Sequence, residues 1–204
     1  MTVEPAHLLA IAAALGWASG LRLYAVLFLV GLAGYLGWVP MTPGLSLLSS
    51  PLVLAATGLL FAVEFFADKL PGIDSIWDVI HTVIRIPAGA ALAASVLGGD
   101  DATWTFIAGL MGGTLAASSH VAKATTRAAV NASPEPFSNI GLSLLGDAAV
   151  PGMLYLAWEQ PIWFFVALAC VVIAGLVVTV VLFRFLRGLV RGVFDHTARE
   201  AMRS

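Results

Sequence analysis

Between Glu64 and Arg85 the chain reads EFFADKLPGIDSIWDVIHTVIR, and seven ionisable side chains arrive in a sequence that is otherwise almost wholly apolar. From Asp74 the steps to Asp78, His81 and Arg85 are four, three and four residues, which sets all four on one stripe of a helix. A second stripe follows in SSHVAKATTRAAVN, where His120, Lys123 and Arg127 repeat at three and four. One cluster is rich in carboxylates and the other is basic. Inside a membrane such charges face a cavity or one another. Two readings follow: an ion-paired network tying parts of the chain together, or a site with one wall for a cation and the other for an anion.

Glu64 and Asp68, one turn apart, are of the type that holds Mg2+ or another hard cation, with Asp74 or Asp78 completing the set. No metal signature is matched, and His81 alone does not make a zinc site. Asp78 also has a structural reading, because Ser75-Ile76-Trp77-Asp78 fits a capping box at the start of a helix. Glu64 and Asp68 have no such alternative. His120 reads either as a proton-relay group, its ordinary pKa being near neutrality, or as a hydrogen-bonded packing residue. Arg22 and Asp147 fall near the middles of apolar runs, where an unpaired charge is costly, so they are expected to pair with each other or with a cluster. No phosphate loop, dinucleotide glycine pattern, nucleophile elbow or HExxH is present, and no cofactor is expected.

These groups must be positioned by elements that are themselves apolar. Of 204 residues, 60% are hydrophobic and 11% charged, with a mean hydropathy of +0.96. Soluble domains carry roughly 45–50% apolar and about 25% charged residues. The expected class is therefore an all-α integral membrane protein whose surrounding partner is the lipid bilayer. A formal charge of -2 argues against nucleic acid as a partner. The single cysteine, Cys170, excludes a disulfide framework and reads as a small buried hydrophobe. The N-terminus lacks the basic start of a cleaved signal peptide and belongs to the fold.

The apolar runs predict about six spans. The first extends from Leu8 to Trp38, too long for one straight crossing, and reads either as a tilted helix or as one broken near Gly20. The others run over Leu52 to Ala67, Ser75 to Leu97 with a kink at Pro87, Trp104 to Lys123 and on toward Asn131, Phe137 to Trp158, and Ile162 to Phe183. Pro71-Gly72, the turn from Gly98 to Asp101, and Pro134 with Pro136 separate them. Residues 1–183 form the membrane domain and 184–204 a basic amphipathic tail on the cytoplasmic surface, where Arg184, Arg187 and Arg191 repeat at three and four. The Asn131-Ala132-Ser133 sequon falls on the side read as cytoplasmic and is discounted. The basic residues collect near Lys69, near Lys123 to Arg127 and in the tail, which places both termini in the cytoplasm. Three spans per half allow two inverted repeats. Leu15 to Gly20 loosely echoes Thr114 to Ser119, and Gly58-Leu59-Leu60 before Glu64 echoes Gly141-Leu142-Ser143 before Asp147.

The segments SGLRLYAVLFLVGL, VEFFADKLPGIDSIWDVIHTVIRIPAGA and SSHVAKATTRAAVNASPEPFSN together resemble a bacterial multi-pass membrane family known as domain of unknown function four-one-two-six. The resemblance covers most of the chain up to about Asp147. It implies a compact integral protein of the bacterial inner membrane and supplies no activity or substrate. Its pattern has asparagine where this chain has Arg22.

The function expected from the residues is a small transporter or channel-like protein for an ion or a small anionic solute, not an enzyme. Its pathway would be lined by Glu64, Asp68, Asp74, Asp78, His81 and Arg85 opposite His120, Lys123, Arg127 and Asp147, in a chain short enough to work as a homodimer. The alternatives are a metal-dependent enzyme acting on a phosphorylated lipid and a non-catalytic assembly protein.

Overall fold

A computed structural model of the protein describes residues 4–70, 72–97, 101–131 and 137–201, with side chains as far as residue 188. Pro71, the expected turn at residues 98–100, the stop at Pro134 and Pro136, most of the sequon and the basic face of the tail beyond residue 188 lie outside the described residues. Among those described there is no strand. Six helices follow the apolar runs: α1 Pro5–Tyr35, α2 Pro51–Ala67, α3 Ile73–Leu97, α4 Ala102–Asn131, α5 Phe137–Glu159 and α6 Pro161–Ala201. Proline opens α1, α2 and α6, where its missing N–H costs nothing. Among the described residues, four helices are by length and composition apolar enough to cross a membrane: α1, α3, α5 and α6 as far as Gly188. α2 has only 17 residues, about 25 Å of rise. α6 continues as one helix past Phe183, so no helix break marks the boundary expected before the tail.

The distribution of side chains is that of a protein dissolved in lipid. Arg22, Glu64, Asp68, Asp74 and Arg85 are at most 1% exposed, whereas Leu52, Leu59, Val83, Ile162, Val177 and Phe183 lie on the surface. Water as the solvent would demand the reverse. Cys170, on α6, belongs to that outer surface and not to the core.

α1 is broken, and the break is at Arg22, whose backbone leaves the helical region (φ -149°, ψ 83°). Gly20, two residues earlier, is helical and does a different job. Its missing Cβ, like that of Gly16, lets the first arm (residues 5–21) lie directly on α4. Gly16 faces Gly112, and Gly20 faces Ala116 and Ser119, so this arm runs in the same direction as α4. The second arm (residues 23–35) packs Phe28 on Phe61 and Gly31 on Leu48 and Leu54, antiparallel to α2 and in the direction of α3. Since α3 and α4 are antiparallel, with Thr82 meeting His120 and Asp74 meeting Asn131 while Gly89 meets Gly112, the two arms of α1 fold back on each other.

The two ends of α1, at residues 5 and 35, therefore lie toward the same end of the bundle. α6 joins the core that holds Ala10 to Leu15 through Phe164 and Leu168, and farther along Gly175 lies against Ala122 of α4. The echo between residues 15–20 and 114–119 joins two segments that run side by side in the same sense, which is not an inverted relation. α5 also carries its inner face, Val150, Met153, Leu154 and Ala157, onto that core.

Candidate functional site

The fold of α1 exposes two sets of helix ends deep in the bundle, and the polar residues gather around them. The Tyr24 and Ala25 amides stand at the start of the second arm, just past the non-helical Arg22. Both donate to Glu64 Oε2, at 3.2 and 3.4 Å. At the end of the first arm the Leu21 carbonyl accepts from Lys123 Nζ (2.9 Å), and Trp17 accepts from Ser119 Oγ (2.6 Å). A carboxylate thus sits at the positive end of one half-helix and an ammonium at the negative end of the other, the polarity that the helix dipole favours. Glu64, for which the sequence offered no capping role, is a cap to a helix other than its own.

From these two groups the network spreads until it contains five carboxylates and five cations. Asp68 accepts ion pairs from Arg22 (2.8 Å), Lys123 (2.9 Å) and Arg127 (2.9 Å), while Arg127 also bonds the Asp68 carbonyl. Asp78 meets Arg85 (2.7 Å), Lys123 (3.1 Å) and Arg127 (3.5 Å). Arg85 reaches Glu64 (2.8 Å), and Asp147 holds Arg22 (2.9 Å) and Lys69 (2.9 Å). The best-aligned hydrogen bonds of Arg22 go to Ser143, carbonyl and hydroxyl, at 2.9 and 2.8 Å; its carboxylate contacts are ionic. Asp74 lies 3.7 Å from Arg127 and accepts from Asn131. The two stripes therefore do face each other, and Arg22 does pair with Asp147.

Asp78 is not a helix cap. α3 starts at Ile73, a turn earlier than the capping box requires, which leaves Asp78 inside the helix with its carboxylate on Arg85 and Lys123. Asp74 takes the local role instead, accepting from the Gly72 and Ser75 amides at 2.8 and 2.6 Å. Asp68 lies just past α2, in the connection to α3. Burial alone would raise its carboxyl, but Lys123, Arg127 and Arg22 outweigh that and hold it down at about 2.

The two histidines occupy different places. His81 turns away from the basic stripe, stacks on Trp77 with ring centroids 4.1 Å apart and meets the Tyr24 hydroxyl at 3.2 Å. Its Nδ1 faces the Trp77 carbonyl at 2.7 Å and so carries the hydrogen. His120 stays inside the network. Arg85 has no acceptor, so His120 Nδ1, 3.4 Å from Arg85 Nη1, accepts, and Nε2 donates to Thr82 Oγ1 at 2.7 Å. Thr82 passes its own hydrogen to the Asp78 carbonyl.

Among the described residues no three of His, Cys, Asp and Glu converge to hold a metal ion. Each carboxylate is turned toward a cation. Sequence reasoning did not place Lys69, Ser143, Tyr24 or Asn131 in this network, and it named Arg22 only as a partner. Lys69 carried a readable signal, being one of ten basic residues in the chain and next to Asp68.

Replacing Glu64 separates its two tasks. Gln keeps an acceptor for the Tyr24 and Ala25 amides but drops the charge facing Arg85, whereas Ala removes both. Glu64→Ala is expected to cost roughly 0.5–2 kcal/mol more than Glu64→Gln, the worth of an N-terminal cap. Chemical unfolding in micelles measures this, and equal losses would remove the cap from the account.

An all-α membrane protein with a broken, folded-back first helix and a charge-balanced buried network is the class that fold and site define. The chain belongs to the family described as Domain of unknown function (DUF4126), which matches residues 9–181. No curated protein and no solved structure is significantly similar to it.

Proposed function

We propose that the protein is a small transporter or channel-like protein of a bacterial inner membrane, moving an anionic solute past the cations of the network. The observation that carries the reading is the break in α1. Interrupted helices persist at membrane depth where the freed backbone lines a cavity or is buried in protein, and transporters place such half-helix ends at their substrate sites. Here Arg22, at the break, and Lys123, on the freed carbonyl of Leu21, both line a cavity of about 410 Å³ that Arg127 also borders. The basic residues of the network and of Arg184 and Arg187 collect at the end from which α6 emerges. By the positive-inside rule that end is cytoplasmic and the N-terminus is opposite.

A metal-dependent lipid enzyme draws no support from carboxylates that are each matched to a cation. A purely structural network would leave transport absent whatever the variant. Reconstituted in liposomes, the wild-type chain is expected to pass one member of a panel of anions beginning with phosphate and chloride. Lys123→Gln and Arg22→Gln should each lower that flux at least tenfold. Wild-type flux in both variants, with the fold intact, would sink the reading.

A further inference from the structure

We propose that the cavity between α1, α4, α5 and α6 is a binding site for a lipid whose headgroup is a phosphate monoester. The inference rests on the reading above in taking Arg22, Lys123 and Arg127 as the anion-binding groups, and goes beyond it in naming an amphiphile. Its polar wall consists of those three cations with Thr126, and among the described residues no carboxylate lines the cavity. The carboxylates that pair with them, Asp68, Asp74, Asp78 and Asp147, are not among the residues that border it. The charged groups that border the cavity are therefore all cations, and an anion entering it would compete for them with the carboxylates on their other sides.

The remaining walls are hydrocarbon. Leu142 and Leu145 come from α5, Val171 and Val178 from α6, and Trp17 and Leu21 from the first arm of α1. A smaller cavity of about 60 Å³ shares Trp17, Leu21, Val171 and Gly175 and prolongs the apolar floor along α6. A small inorganic anion can use the cations but leaves the Leu and Val walls without a matching partner. An acyl chain matches these walls, and α6, which lines the cavity, carries exposed apolar side chains on its outer surface. Two guanidinium forks and an ammonium suit the oxygens of a dianionic monoester better than the single charge of a phosphodiester.

The test uses the full chain in detergent micelles, with phosphatidic acid as the probe and phosphatidylcholine and inorganic phosphate as comparisons, bound lipid being read by native mass measurement. Phosphatidic acid is expected to bind at least tenfold more tightly than phosphatidylcholine. Lys123→Gln should weaken it tenfold. Ala149→Trp and Gly175→Leu, which fill the cavity from its apolar side without touching the ion pairs, should do the same while unfolding like the wild type. A Cβ at Gly175 meets Ala122 at an ordinary 3.4 Å, so that variant is expected to fold. Undiminished binding in both filled variants, or equal binding of phosphatidylcholine, overturns the site. Binding of inorganic phosphate without phosphatidic acid also overturns it while leaving anion transport standing. Lipid binding without flux of any anion sustains the site and removes transport.

Discussion

An Asp68→Asn protein is expected to lose about 3–5 kcal/mol of unfolding free energy, the cost of leaving buried charges without their partner. Arg22, Lys123 and Arg127 all converge on this one carboxylate, at 2.8, 2.9 and 2.9 Å, and Asp68 is fully buried. The amide keeps the shape and removes the charge, so three cations are left to Asp78, Asp74 and Asp147. The effect carries a pH signature with a definite sign. A carboxyl lowered from 3.8 to about 2 on folding stabilises in full above its ordinary value and loses that contribution as pH falls through about 2. The gap in stability between wild type and Asp68→Asn should therefore narrow over that window, as followed by unfolding in micelles. A gap independent of pH would mean that the charge of Asp68 is not its cause.

The second large effect is steric. In Gly16→Leu the added Cβ would stand 2.5 Å from the Gly112 Cα and 2.8 Å from its carbonyl oxygen. Both are backbone atoms of α4 and cannot rotate aside. The first arm must then lift from α4, drawing the Leu21 carbonyl from Lys123 and Trp17 from Ser119. Overpacking of this kind costs about 1–3 kcal/mol, and the lost polar contacts add to it. Gly141→Leu is the control, since nothing lies within 4 Å of a Cβ there. Thermal unfolding should show a large fall for Gly16→Leu and none for Gly141→Leu; a matched pair of melting curves would refute the close arm–α4 contact.

Helix limits were legible to within a few residues wherever apolar runs meet proline or a polar turn, as at Pro51, Ala67, Leu97 and Phe137. The facing of the two ionisable stripes was legible too, because spacing alone puts Asp74, Asp78 and Arg85 on one side of α3 and His120, Lys123 and Arg127 on one side of α4. The pairing of Arg22 with Asp147 followed from the cost of a lone charge in hydrocarbon. What could not be read is the reversal of α1. Its hinge is an arginine with no glycine or proline beside the non-helical residue, and its stabilising partners, Glu64 and Lys123, are distant in sequence. The same cause misplaced Asp78. Its local spacing satisfies a capping rule, but the helix begins earlier, and a contact with Lys123 on another helix decides its role. The break expected near Gly20 falls two residues on, at Arg22, and Gly16 and Gly20 themselves serve as the close-packing surfaces that small residues provide.

The partners of Arg22 also bear on how the chain is made. Synthesis proceeds from the N-terminus, so α1 enters the membrane with its arginine before either Asp68 or Asp147 exists. Until α2 has followed, that guanidinium has no internal counter-charge, and until α5 has followed it lacks both its second carboxylate and Ser143. The first helix thus depends on the fifth, and a chain stopped before α5 would leave Arg22 and Lys69 without Asp147 and the buried cations one carboxylate short. Such a fragment is expected to be recognised as unfinished and degraded, which makes completion of α5 the step that commits the nascent protein to its fold.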